Sequence, residues 1–337
     1  MNWTDGFTGS YFATYVDPIS WRDIERFEIT GGSITKSNTD LRVTASLDCT
    51  DYPQGTERWI RVYLDAKQGV SGTREPLFTG LATSPGVEIN GTLVENKVEC
   101  YSVLKPAEDI LLDRGWYIPA ETDGAQAIKR LLAVTPAPVD VDENAPTLNE
   151  AIIAEDGETN LTMIDKVLKA IGWRLRVDGD GTIRVTAPAT NADVMYDPID
   201  NDAIEPKITI TRDWYDVPNV FRAISDGVSG VAKDENDYSP YSIQNRGREV
   251  WAEEDDCDLS GYETIAEYAI RRLREEQQVG ISVKYTRRYN PALQPGDLVR
   301  LHYPAQGLDG LYKITSQNIA IGGGCSVREE VNFNGYY

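Results

Sequence analysis

The sequence holds one histidine and four cysteines in 337 residues. A Ser-His-Asp or Cys-His enzyme would have to use His302, and neither a G-x-S-x-G elbow nor a reactive-cysteine context accompanies it. His302 therefore reads as a rim or surface residue within a strand. Cys49, Cys100, Cys257 and Cys325 lie far apart and form no C-x-x-C pair. That spacing fits neither a zinc site nor a disulfide framework, and it points to reduced core thiols and folding in a reducing cytoplasm. Basic residues are scarce: 33 Lys and Arg stand against 54 Asp and Glu, a net charge of −21. Phosphate neutralisation needs clustered cations, so sequence-specific nucleic-acid binding is not expected, and solubility is the plain consequence of the charge. No apolar run reaches the ~18 residues that span a bilayer, so no stable membrane insertion is expected. The opening residues, Met1 to Gly6, lack a basic stretch followed by an apolar one, so no signal peptide is expected either.

The small-ligand motifs are missing as well. Gly322-Gly323-Gly324 precedes neither a helix nor a Lys-Ser/Thr pair, so it is no phosphate loop. Asp178-Gly-Asp-Gly181 and Asp140-Val-Asp-Glu143 look superficially like calcium loops. Neither continues to the bidentate Glu of a twelve-residue loop, and they read as a hairpin turn and a solvated connector. With so many acids, a carboxylate pair for glycoside cleavage carries no information, and no Glu is expected in an apolar, aromatic setting that would raise its pKa. Arg271-Arg272 and Arg287-Arg288 are too few for a nucleic-acid stripe. Glu267 and Arg271, four apart on one helix, read as a surface ion pair. No catalytic, cofactor-binding or metal-binding residue is assigned.

What the sequence does contain is short alternating strands. Hydrophobic residues make up 41% and charged residues 26%, ordinary for a globular chain whose length suggests two to four domains. Residues 1–22 mix aromatics, Gly and Asp without a period and read as an N-terminal arm. Residues 23–104 carry strands at Arg26–Thr30, Asp40–Asp48, Arg58–Asp65, Glu75–Thr83 and Asn96–Val103, a first all-β domain. Residues 105–200 differ in kind. Pro106–Leu112 and Gly124–Leu132 are helical, and Thr135–Pro146 is a Pro- and Asp-rich connector expected to be exposed. Leu161, Ile164, Leu168 and Ile171 form a helical stripe that Gly172 stops. The Asp178–Gly181 turn then joins two alternating strands.

Residues 201–337 form the last region. Strands at Lys207–Thr211 and Val220–Ser225 precede a long polar loop over 226–260. Ser260 and Glu263 have capping-box spacing, and Tyr262, Ile265, Ala269 and Leu273 give a helix to about Gln278. The period then becomes two from Val279, and hairpins follow to Phe333. One helix followed by antiparallel strands reads as a small barrel with a single covering helix. An internal echo links Trp59–Leu64 and Pro76–Gly80 to Leu298–Tyr303 and Gly310–Ile314, which hints that the first and last β regions are copies.

The ordered set resembles the baseplate hub proteins of phage tails and contractile injection machines, the late control protein D type. Thr56–Leu64 with Pro76–Gly80 is similar to that family's first-barrel hairpin, and Ile164–Val185 to its helix-hairpin insert. Pro218-Asn219-Val220 enters the second barrel, and Tyr241-Ser-Ile243 with Gly247 is similar to its Ser-Ile-x-x-x-Gly loop. Tyr262–Glu275 and Leu293-Gln-Pro-Gly-Asp-Leu-Val-Arg300 are similar to its late helix and strand. The resemblance spans about 50–330. It implies a mainly β chain with two tube-like antiparallel barrels and an α+β helix-hairpin module. It also implies a non-enzymatic homotrimer at the distal end of a virion tail, adapting a six-fold tube to a three-fold tip. Assembly in the host cytoplasm is implied too, beside a tail tube or distal tail protein, a tip or spike protein, a tape measure protein and other baseplate proteins. An acidic lumen would suit passage of DNA. Two other readings stand beside it: a tail-associated cell-wall hydrolase, and a carbohydrate-binding β protein of the tail tip using Trp59, Trp173, Trp214 and Trp251.

Overall fold

Alternating burial is what makes Val43–Cys49 a strand: Val43, Ala45, Leu47 and Cys49 are buried, and the residues between them are half-buried. In the computed structural model that strand belongs to a closed barrel. The structure describes residues 1–3, 5–50, 57–90, 93–197, 204–212, 214–225, 227–257, 259, 264–278 and 280–335. The first barrel comprises β1 (Thr8–Val16), β2 (Asp23–Phe27), β3 (Ile29–Ser37), β4 (Val43–Cys49), β5 (Arg58–Gln68), β6 (Ser71–Asn90) and β7 (Leu93–Ser102). Only Glu28 separates β2 from β3, so the two act as one bent strand. β2 pairs with β1 and β3 pairs with β4. The remaining ladders, β4–β7, β7–β6, β6–β5 and β5–β1, complete the circuit, all antiparallel. Ile34, Leu47, Ile60, Val62, Leu64, Leu77 and Phe78 fill the interior. Each such side chain contributes roughly 1.5–3 kcal/mol when fully buried. The segment 1–22, expected as an arm, instead supplies β1, whose Phe12 to Val16 are buried. Its alternation is masked because aromatics stand on both faces.

The insert that follows has its own core. It comprises α1 (Lys105–Asp109), β8 (Tyr117–Ile118), α2 (Gly124–Leu132), β9 (Val139–Val141), β10 (Ile152–Ile153), α3 (Asn160–Ile171), β11 (Arg174–Val177) and β12 (Ile183–Thr186). Ile128, Leu131 and Leu132 of α2 share a cluster with Leu161, Ile164 and Leu168 of α3. Thr159 and Thr162 cap α3 reciprocally, and Gly172 ends it at φ 67°. The Thr135–Pro146 connector was expected to be solvated, yet it carries β9, which pairs parallel with β12 and buries Val141. Three residues are too few to show a period.

The second barrel begins with β13 (Ala192–Tyr196) and β14 (Thr209–Arg212). A subdomain interrupts it: β15 (Val220–Ser225), β16 (Val228–Lys233), α4 (Ile243–Arg246), β17 (Trp251–Glu254) and α5 (Ile265–Gln278). The barrel then resumes as β18 (Ile281–Arg288), β19 (Leu298–Tyr303), β20 (Leu308–Ile321) and β21 (Ser326–Gly335). Two expectations change here. The polar stretch 226–260 holds β16, α4 and β17, ordered because β15 pairs with both strands. α5 packs chiefly on the subdomain sheet rather than on the barrel: its Tyr268, Ala269 and Leu273 meet Phe221, Ala223 and Ala232, and it also approaches β21. The Ser260–Glu263 box lies outside the described residues. The same spacing recurs one turn later, where Thr264 and Glu267 cap each other.

The two barrels repeat one topology. Taken in chain order, the first uses β1, the bent β2–β3 strand, β4, β5, β6 and β7, and the second uses β13, β14, β18, β19, β20 and β21. Side by side, β3-β4-β7-β6-β5-β1 matches β14-β18-β21-β20-β19-β13, position for position. One departure is recorded: β1 runs antiparallel to β5, whereas β13 runs parallel to β19.

Candidate functional site

The residues weighed for small-molecule chemistry do not converge. His302 Nδ1 lies 3.0 Å from Asp309 Oδ1 across the β19–β20 hairpin, at a position open to solvent. Among the described residues no group of three or more His, Cys, Asp or Glu could hold a metal. All four cysteines are free and buried, and burial pushes the thiols of Cys49 and Cys325 up to about 12. One expectation about acids is overturned. Burial raises the Glu75 carboxyl above its ordinary range, with Lys36 opposing and Asp180 and Asp178 adding to it. Of the tryptophans, Trp59 and Trp173 pack against the insert core, while Trp214 and Trp251 are about half exposed. Arg222 and Lys233 each sit 5.8 Å from the Trp251 ring. Glu267 is taken up by Thr264, and Arg271 pairs with Glu275.

The Asp178–Gly181 turn is a docking element. Arg176 and Arg184 hold Asp178, and Arg184 also reaches Asp140, so those acids serve structure. The turn's backbone meets the first barrel. Thr79 Oγ1 donates to Gly179 O at 2.8 Å, and Arg61 and Trp21 both donate to Asp180 O. A Cβ on Gly179 would collide with the Pro76 carbonyl of β6. Gly179→Ala is therefore expected to cost about 1–3 kcal/mol through overpacking. The check is a urea midpoint, with hydrogen exchange rising first in β11 and β12.

The seam between the barrels is the largest feature that the sequence did not disclose. β20 serves both barrels: Leu308–Lys313 pairs with β19, and Ser316–Ile321 pairs with β3. β3 does the converse, since the bent strand closes its own barrel through β2 and gives its later half to β20. Beneath this ladder lies a buried polar network. Glu329 is wholly buried and accepts from Arg287 Nε and Nη2, from the Tyr285 hydroxyl at 2.6 Å and from Gln317 Nε2 at 2.6 Å. Gln317 Nε2 also donates to Leu293 O, and Lys36 Nζ donates to Gln294 Oε1 at 3.0 Å. Burial pulls the Lys36 amine down to about 8. One signal was available: Arg287 falls in the buried phase of β18, after Ile281, Val283 and Tyr285.

No protein-family model matches the sequence, and no curated protein matches it. Solved structures do. The tail protein from Neisseria meningitidis MC58 superposes at TM-score 0.70 and 15% identity, covering 99% of this chain and 98% of that one. The 43 kDa tail protein of prophage MuSo2 from Shewanella oneidensis follows at TM-score 0.68 and 15% identity, covering 95% and 97%. The fold is that of prophage tail proteins. The same tail-protein fold matches the E. coli c3393 protein at TM-score 0.54 and 10% identity, covering 92% of this chain and 74% of that one. That protein is a component of the type VI secretion system and is structurally similar to the T4 bacteriophage tail proteins gp27 and gp5.

Proposed function

We propose that this chain is a structural, non-enzymatic baseplate hub of a phage tail or tail-like particle. Three copies form a ring of six similar barrels, which adapts a six-fold tail tube to a three-fold tip and lines the ejection channel. The observation that carries the reading is the repeated strand order in one chain, fused through the β3–β20 ladder. Two equivalent barrels per chain turn a trimer into a six-unit collar, with the insert from α1 to β12 and the α5 subdomain as appendages. The net charge of −21 suits a channel wall that repels phosphate. The partners are a tail tube or distal tail protein, a tip or spike protein, a tape measure protein and other baseplate proteins.

Native mass measurement with negative-stain imaging tests this. The expected result is a three-subunit ring with an axial hole. A stable monomer at high concentration overturns it, as does turnover of peptidoglycan that is lost on changing one acid.

A further inference from the structure

Among the described residues, the seam inside the chain has a counterpart at each end of the repeat that carries no ladder. In the second barrel, β20 runs past its partner β19 and gives Ser316–Ile321 to β3. In the first barrel, β6 holds the place of β20. It pairs with β5 only as far as Ala82, then runs on to Asn90 with β7 along its other edge. Among the described residues, no strand pairs with the β5-side edge of β6 over 84–90. β14 holds the place of β3 in the second barrel, and among the described residues it pairs with β18 alone. Thus β3 is filled by the second barrel of its own chain, and among the described residues β14 and the β6 extension each keep an edge without a ladder. Apolar burial agrees. The seam buries Ile319 and Ile321 of β20, whereas Ile89 of the β6 extension is 70% exposed.

We infer that the β6 extension of one copy pairs antiparallel with β14 of a second copy of this chain, repeating between subunits the junction that β20 and β3 make within one. The two edges differ, so the contact is head-to-tail. A head-to-tail contact either closes into a ring or runs on as a filament. Here every junction around the assembly joins the same two strand positions, one inside each chain and one between chains. The pairing converts unpaired backbone N–H and C=O groups, a standing aggregation hazard, into the subunit interface. The occupant is a copy of this chain because the mating strand is already specified by the repeat. Closure at three copies rests on the hub reading above.

Engineered cysteines test the pairing. Residues opposite one another in an antiparallel ladder have Cα atoms about 4.5–5.5 Å apart, within disulfide reach. A Cβ on Gly86 has nothing nearer than 3.6 Å, and Thr209 and Thr211 are exposed. Gly86→Cys and Ile89→Cys are each combined with Thr209→Cys or Thr211→Cys in the full chain, oxidised mildly, and run denatured without reductant. The native thiols are buried, so background is low. The expected result is covalent dimers and trimers from at least one pairing, with each single-cysteine chain remaining uncrosslinked. Native mass is read on the same samples. A trimer that crosslinks through none of the four pairings overturns the edge pairing and leaves the hub reading intact. A monomer without crosslinks overturns both.

Discussion

Replacing Glu329 by alanine is expected to remove about 3–5 kcal/mol of folding stability, the cost of breaking a buried ion pair from one side. The side chain is wholly buried, and three residues donate to it. Without it, Arg287 keeps its charge in an interior where that side chain is 2% exposed, and the Tyr285 hydroxyl and Gln317 amide lose an acceptor. Desolvation of the stranded charge is expected to dominate the loss, and the paired variant tests this. Arg287→Met with Glu329→Leu is expected to recover most of the stability, because apolar residues of similar volume replace a buried pair at little cost. Urea unfolding of the two singles and the double gives the coupling energy. A single-variant loss below about 1 kcal/mol would contradict the packing described for the seam.

Lys36 is expected to make stability rise with pH in an alkaline window. Its amine is held at about 8 in the folded chain, against 10.5 when exposed, chiefly by burial. Below about 8 both states bind the proton, and the folded chain bears the full cost of a buried charge. Between 8 and 10.5 the unfolded chain binds more protons, so the stability of the folded state increases with pH. The gain is on the order of 3 kcal/mol and levels off above 10.5. Buried tyrosines act oppositely. Burial raises Tyr285 and Tyr289, so their contribution is complete below 10 and declines above it. Comparison with Lys36→Met isolates the lysine: the variant is expected to be the more stable at pH 7, with the difference shrinking toward pH 10. In that variant Gln294 Nε2 keeps its bond to Pro291 O while its Oε1 loses the lysine donor, a pH-independent cost that offsets the two profiles without changing their slopes. Parallel pH profiles for the two proteins would refute the assignment.

Local signals carried far in this chain. The helical stripes of α2 and α3, the Gly172 stop and the Asp-Gly turn were legible because each depends on residues within a few positions. The echo between the β5–β6 and β19–β20 hairpins was legible for the same reason. The N-terminal strand was not, since aromatics on both faces hide its alternation. The cap of α5 was displaced by four residues because Ser260–Glu263 and Thr264–Glu267 offer the same spacing in succession. The seam was invisible for a different reason. The alternation of β18 puts Arg287 in the buried phase, but it does not name a partner, and Glu329 is brought close by strand order, which no local pattern encodes. The docking role of the Asp178–Gly181 turn was hidden likewise, because its partner Thr79 lies 100 residues earlier.

The ladder between β3 and β20 also sets a timetable. Thr35 and Asn318, whose side chains bond across it, are 283 residues apart. At roughly 5–20 residues per second of synthesis, β3 emerges from the ribosome roughly 15–60 s before its mate exists. For that interval the nascent first barrel carries an open strand, and a neighbouring nascent chain on the same message presents the same one. Slow codons late in the message would lengthen that exposure.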